Sequence, residues 1–237
     1  MTNADFIKVI ETSFAEFISC GTSRSTKKLI PLHGAIAKDM HERLGSGYSI
    51  MSQGYENGKE GTISGRYMDK KVDITILKES VPVGGIAVKF VMQNYSQNAN
   101  NYFENMLGET ANIRSAQFPY FQVFIIPDKL PHYNKDGVIT NWEVFSDHYL
   151  NKYCILDKDD PSSSFHSPDK MLMYVVQLPG PGCISTKRDY LSVYRRLVSR
   201  TPNGFANVVN VAQFSKSVIL NDYEKFADKV YHSILAL

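Results

Sequence analysis

Cysteine is scarce in this sequence. Cys20, Cys154 and Cys183 are the three in 237 residues. An odd number, spread this widely, argues against a disulfide framework and against a cysteine-based zinc cluster. Each reads as a small buried or half-buried hydrophobe. Long apolar runs are missing as well. No stretch approaches the ~20 residues that cross a bilayer, so no membrane partner is expected. The opening MTNADFIKVIE has neither the basic start nor the apolar middle of a signal peptide, which points to the cytoplasm. No GxxxxGK[ST] or GxGxxG segment occurs, so nucleotide-driven chemistry has no support. Repeats and low-complexity tracts are also lacking.

What is present is an ordinary globular composition, 43% apolar and 21% charged. A chain of this length can bury a real core as a single domain, residues 1–237. The net charge of +2 is unevenly distributed. Residues 185–237 hold eight Lys/Arg against four acids, leaving −2 for residues 1–184. A basic C-terminal quarter suits a polyanionic partner.

Apolar spacing predicts a helix over 3–19, carried by Phe6, Val9, Ile10, Phe14, Phe17 and Ile18, and a second over 31–44, carried by Ile36, Ala37, Met40 and Leu44. The period then changes. Residues 48–53, 62–68, 70–77 and 84–92 read as strands, with 62–68 and 70–77 forming either one bent strand or a tight hairpin. A helix over 98–114 and a buried strand over 120–128 follow. Beyond residue 129 the pattern weakens: a helix over 141–153, a loop, a strand over 170–178, and helices over 187–200 and 221–236. The expected class is α/β (α+β), a mixed central sheet flanked by helices.

Strand parity singles out two charges. In KKVDITIL, Val72, Ile74 and Ile76 should face one way and Asp73 and Thr75 the other. In GGIAVKFVM, Ile86, Val88 and Phe90 share a face, and Ala87 and Lys89 share the opposite one. If these strands pair, Asp73 and Lys89 sit together on one side of the sheet. Such a pair is weak evidence of stability, and function is one reason to retain it.

Asp on one strand, then x–acid–x–Lys on the next, resembles the PD-(D/E)xK nucleases, the superfamily that includes most type II restriction endonucleases. The matching residues are Asp73 and Lys89, in VDITIL…GIAVKF. The predicted order helix, strand meander, helix, strand over residues 30–128, about 40% of the chain, also resembles that family's common core. The stretch AVKFVMQNYSQNANNYFENMLGETANIR is similar to restriction-endonuclease sequences. The resemblance implies a restriction-endonuclease-like αβββαβ core, with residues 129–237 serving DNA recognition and dimerisation. It implies Mg²⁺-dependent hydrolysis of phosphodiester bonds in a short, specific double-stranded DNA site. It further implies a homodimer, with a cognate DNA methyltransferase as functional partner. Asp73 would hold the metal, and Lys89 would orient or deprotonate the attacking water.

Ala87 departs from the pattern, because the family's second carboxylate belongs there and alanine cannot hold a metal. Three explanations stand: an acid that has moved to the following helix, an engineered replacement, or natural loss of catalysis. For the moved acid the candidates are Glu104 and Glu109, about 140° apart on a helical wheel. Spacing by resemblance favours Glu104 as the second metal ligand and catalytic carboxylate. Glu42 is a further acid that some relatives would use. For DNA binding the candidates are Gln93, Asn94, Gln97 and Asn98, whose amides can pair with adenine, and Lys187, Arg188, Arg195, Arg196 and Arg200, which suit phosphates or guanine. His132, Asn141 and His148 superficially echo an HNH nuclease, and His33 and His41 read as core or solvent residues rather than ligands. The alternatives to a restriction enzyme are a sequence-specific DNA-binding protein that no longer cuts and a structure-specific repair nuclease.

Overall fold

The computed structural model describes residues 1–21, 26–180, 184–200, 204–208 and 214–237, with the side chains of 199 and 200 excepted. Helix α1 (Asn3–Cys20) starts where Thr2 accepts the Asp5 N–H and stops at Gly21, whose φ of +66° suits a residue without Cβ. Its buried face is Phe6, Ile10, Phe14, Phe17 and Ile18, much as its apolar spacing dictates. Helix α2 (Ile30–Leu44) buries Leu32, Ile36, Ala37, Met40 and Leu44.

Eleven strands follow among the described residues. The central sheet is mixed. In it β4 (Ile74–Lys78) pairs antiparallel with both β1 (Tyr48–Ser52) and β5 (Val81–Phe90). Beyond them β6 (Tyr120–Pro127) pairs parallel with β5 and with β9 (Lys170–Gln177). The far edge of β9 carries β11 (Val218–Leu220), parallel, and β10 (Ala206–Asn207), antiparallel. Two hairpins stand apart from this sheet: β2 (Gly61–Ser64) with β3 (Asp69–Val72), and β7 (Lys129–Tyr133) with β8 (Ile139–Val144).

Helices cover both faces. On one, α1, α2, α5 (Lys187–Arg200) and α6 (Tyr223–Leu235) pack against Ile74, Ile76, Ile86, Val88, Phe121 and Tyr174. On the other, α3 (Tyr95–Arg114) and α4 (Asp147–Lys158) pack against Phe124, Ile126, Met171 and Met173. This is the mixed α/β sheet flanked by helices that the sequence pattern predicts. The stretch after residue 128 adds β9, β10 and β11 to the same sheet, and the Phe6 ring stacks on Tyr223 of α6 at 4.3 Å. Cys20 and Cys154 are unpaired half-buried thiols, and Cys183 lies outside the described residues.

Three local expectations need correction. The segment 70–77 is not one strand: it breaks at Asp73, with β3 pairing to β2 and β4 to β1 and β5. Val72 therefore leaves the face of Ile74 and Ile76 and packs with Ile63, Ile113 and Tyr120. The expected helix over 141–153 is strand in its first half, because Asn141, Trp142 and Glu143 pair with His132, Pro131 and Leu130 in β7. Helix α3 begins three residues earlier than predicted. Glu143 accepts the Ser96 N–H at 2.9 Å and the Ser96 hydroxyl at 2.5 Å, a cap supplied from a distant strand that local sequence cannot announce. No described helix is long and apolar enough to cross a membrane.

Candidate active site

The break at Asp73 has a local cause. Ile74 pairs with Ile86, so the N–H of Val88 falls beyond the end of the β4–β5 ladder. The Asp73 carboxylate takes that N–H at 2.7 Å. A side chain thus replaces a backbone carbonyl, and the chain before it turns away into the β2–β3 hairpin. Ser52 ties down the turn by donating its hydroxyl to the Asp73 carbonyl at 2.7 Å. Gly61 also matters here, since a Cβ on it would come within 2.6 Å of the Thr75 side chain.

Asp73 is half-buried and makes no ion pair among the described residues. Burial is the main influence on it and pushes its pKa up to about 6. The Glu109 charge adds to the rise, while the Val88 N–H and the charges of Lys70 and Lys89 oppose it.

Ala87 and Lys89 line the same cleft as Asp73, on one side of the sheet, as strand parity predicts. The cleft holds about 820 Å³. Lys89 keeps solvent access, and its ammonium stands 4.4 Å from the centre of the Tyr102 ring. The cleft walls withdraw water from it and lower its pKa, against the pull of Asp73 and Glu109. Beside it Lys28 is buried, and its pKa falls for the same reason, with the Lys89 charge adding to the effect. Gln122 pairs in register with Ala87, so a buried amide continues the row across the cleft floor.

Both helix carboxylates line the cleft, in different settings. Glu104, favoured by spacing, is exposed, and the cation it acts upon is Lys152. Glu109 is half-buried. It receives the Tyr120 hydroxyl, forms a 2.8 Å ion pair with Lys70, and its charge is felt at both Asp73 and Lys89. Of the two, Glu109 is the one the fold couples to the Asp–Lys pair. Glu42 pairs with Lys38 on the outer side of α2.

Two further residues meet Asp73: Glu60, which sequence reasoning does not single out, and His33, which it reads as a core or solvent residue rather than a ligand. His33 from the first turns of α2, Glu60 from the segment before β2, and Asp73 each present a donor atom, all within 4.8 Å of one another. His33 is 2% exposed, and neither ring nitrogen has a hydrogen-bond partner. Burial pushes its pKa down to about 4, with Glu60 opposing, so the ring is neutral at physiological pH. Glu60 is held by the Gln53 amide at 2.9 Å. A pair of glycines makes the approach possible. A Cβ on Gly34 would come within 2.4 Å of the Gly54 carbonyl oxygen, and one on Gly54 within 2.3 Å of the Ile30 carbonyl oxygen. The start of α2 and the turn after β1 are therefore pressed backbone to backbone, which brings His33 toward the segment that carries Glu60.

The donor set fits a divalent cation: two carboxylates and a neutral imidazole, the last an orphaned buried polar group that a cation would satisfy. Glu104 is not part of this group.

Of the expected DNA contacts, Gln93, Asn94, Gln97 and Asn98 line a smaller groove that joins the cleft at Lys89 and Tyr102. Asn94 serves the turn into α3, accepting the Tyr133 N–H at 3.0 Å. Lys187, Arg188, Arg195 and Arg196 lie on α5, which packs through Tyr190 and Tyr194 on the opposite face of the sheet and, among the described residues, contributes none to the cleft. Arg195 donates to the Ile18 carbonyl at 3.4 Å. The Arg200 side chain lies outside the described residues. His132 and Asn141 are cross-strand partners, but His132 is bonded to Glu143 and His148 rests on Tyr149, so no HNH arrangement forms.

Neither a family model, nor a curated protein, nor a solved structure matches this chain.

Proposed function

We propose that the chain is a metal-dependent endonuclease that hydrolyses phosphodiester bonds in double-stranded DNA, with the chemistry of a type II restriction enzyme. One observation carries the reading: Asp73 and Lys89, on neighbouring parts of one sheet, line a single cleft and act on each other's charge. The element order α2, β1, β4, β5, α3, β6, with β5 and β6 parallel, supports it.

Each residue then has a task. Lys70 and Lys71, at the β2–β3 side of the cleft, attract and position the phosphate. Lys89, with its lowered pKa, can orient the attacking water and accept or return a proton within the cleft. Tyr102 holds the ammonium over its ring, limiting where that proton can go. Glu109, fixed by Tyr120 and Lys70, supplies negative charge that keeps Lys89 directed inward. Asp73 would hold the divalent ion, with His33 and Glu60 the further donors in reach. When bound, such an ion activates water and neutralises charge on the phosphate. Mg²⁺ is the ion implied by the family resemblance. A homodimer would present one cleft to each DNA strand, matching a two-fold symmetric site.

Ala87 favours a second reading, a protein that binds a DNA site without cutting it. Its methyl group packs against the cluster of Ile63, Val72, Ile113 and Tyr120, where the family pattern has a carboxylate. Plasmid DNA incubated with the protein and a divalent ion decides between them. Discrete fragments support the nuclease. Intact but retarded DNA, with cleavage appearing on Ala87→Glu, supports the binding protein. Cutting confined to junctions, lesions or single-stranded ends would replace both with a structure-specific nuclease.

A further inference from the structure

We infer that His33, Glu60 and Asp73 form a preformed site for a first-row transition-metal dication, with Mn²⁺ bound in preference to Mg²⁺. The inference rests on the nuclease reading only for what the ion does to DNA; binding itself requires neither DNA nor cleavage.

Three observations converge on the site. The first is the donor group itself, drawn from three separate parts of the chain to within 4.8 Å. The second is the His33 ring, 2% exposed with both nitrogens unpartnered. A buried imidazole without a hydrogen bond is costly and calls for an explanation. A cation accepting the lone pair of one nitrogen accounts for that nitrogen. The third is the backbone contact through Gly34 and Gly54, which leaves no room for a side chain at either position and fixes the first turns of α2 against the turn after β1. Outer support is also in place. Gln53 donates to one Glu60 oxygen, and the Val88 N–H holds one Asp73 oxygen, so in both carboxylates the other oxygen is available to a cation.

The donor types decide the class of ion. Mg²⁺ prefers oxygen ligands and keeps much of its water. An imidazole nitrogen shifts the preference toward Mn²⁺, Co²⁺ and Zn²⁺, and two carboxylates beside it suit Mn²⁺ best among them. Mg²⁺ alone would leave the imidazole largely unused.

The test uses the full chain, stripped of metal by chelator and titrated with MnCl₂. Calorimetry measures binding, and loss of the free-ion paramagnetic resonance signal checks it. One Mn²⁺ per chain is expected, and a tenfold excess of Mg²⁺ should not displace it. His33→Ala and Glu60→Gln should each weaken binding by roughly tenfold or more, while Lys89→Ala should not weaken it. Circular dichroism checks each fold. If His33→Ala unfolds, Glu60→Gln, on a partly exposed connection, decides alone. Unchanged Mn²⁺ affinity in the folded variants, or displacement by equimolar Mg²⁺, overturns the site. Binding with these dependencies but no DNA cut in any ion would sink the nuclease and leave the site standing. Cutting in Mg²⁺ by a parent chain that binds no Mn²⁺, with His33→Ala cutting at the parent rate, would do the reverse.

Discussion

Two aspartates show how differently this fold treats one residue type. Asp157, in the last turn of α4, accepts the N–H groups of Ser215, Lys216 and Val218 at 2.7, 3.0 and 2.8 Å. Burial alone would raise its pKa, but these hydrogen bonds outweigh it and the net shift is downward. Asp73 accepts one N–H, lacks an ion pair among the described residues, and is pushed up to about 6. Asp157 staples the segment entering β11 to α4. Asp73 is held by one oxygen and left under-compensated, which suits the metal-holding role proposed for it. The difference lies in the number of donors aimed at each carboxylate rather than in depth alone.

Exchanging each acid for its amide tests this contrast. Asp73→Asn keeps an acceptor for the Val88 N–H and removes the charge. Cleavage of plasmid should fall roughly a thousandfold or more, with the thermal midpoint little changed. Lys89→Ala should do the same. Asp157→Asn should act in the opposite sense, lowering unfolding free energy in urea by about 2 kcal/mol while leaving cleavage per folded molecule unchanged. The stability from Asp157 is present above its unfolded pKa, near the ordinary 3.8, and lost as pH falls below it. Asp157→Asn should therefore flatten the acid limb of the stability curve. A cutting Asp73→Asn, or an Asp157→Asn as stable as the parent, breaks the contrast.

The contrast was half visible in the sequence. The Asp73–Lys89 relationship is expected from alternation in KKVDITIL and GGIAVKF, and both residues do line one cleft, although Val72 leaves the face that alternation gives it. The break at Asp73 is not, since the alternation runs unbroken from Val72 to Ile76 and what interrupts it is a hydrogen bond to Val88, 15 residues away. His33 and Glu60 were illegible for a similar reason. What brings them together is the contact of Gly34 with Gly54, and neither glycine looks unusual where it stands. A glycine next to a histidine in the first turns of a helix was the available signal. By contrast, α1 and β6 were plain to read, because their apolar patterns answer to burial alone.

The two carboxylates of α3 extend the same comparison to a smaller effect. A wheel separates Glu104 from Glu109 but cannot say which aims at the sheet. Tyr120 and Lys70 grip Glu109, and its charge reaches Asp73 and Lys89. Glu109→Gln should lower the cleavage rate roughly tenfold and shift the pH–rate profile, because Lys89 loses a neighbouring anion that favours its protonated form. Glu104→Gln should stay within about twofold. The reverse ranking would return the second carboxylate to the position that spacing favours.

The smallest expected effect separates the two candidate DNA-binding regions. Asn98 lines the groove that meets the cleft at Lys89 and Tyr102, on the face where a bound duplex would lie. Arg195 sits on α5 across the sheet and spends a guanidinium donor on the Ile18 carbonyl. An amide that pairs with one base edge contributes about 1–3 kcal/mol of discrimination. Asn98→Ala should therefore weaken binding to a cut site several-fold while changing binding to unrelated DNA little. Arg195→Ala should leave both within about twofold at moderate salt, since a phosphate contact would show as a uniform loss with a shallower salt dependence. Filter binding at two salt concentrations distinguishes these. A salt-dependent loss in Arg195→Ala would mean that the duplex, or a second protomer, reaches around to the α5 face, and that the basic C-terminal quarter is part of the DNA path after all.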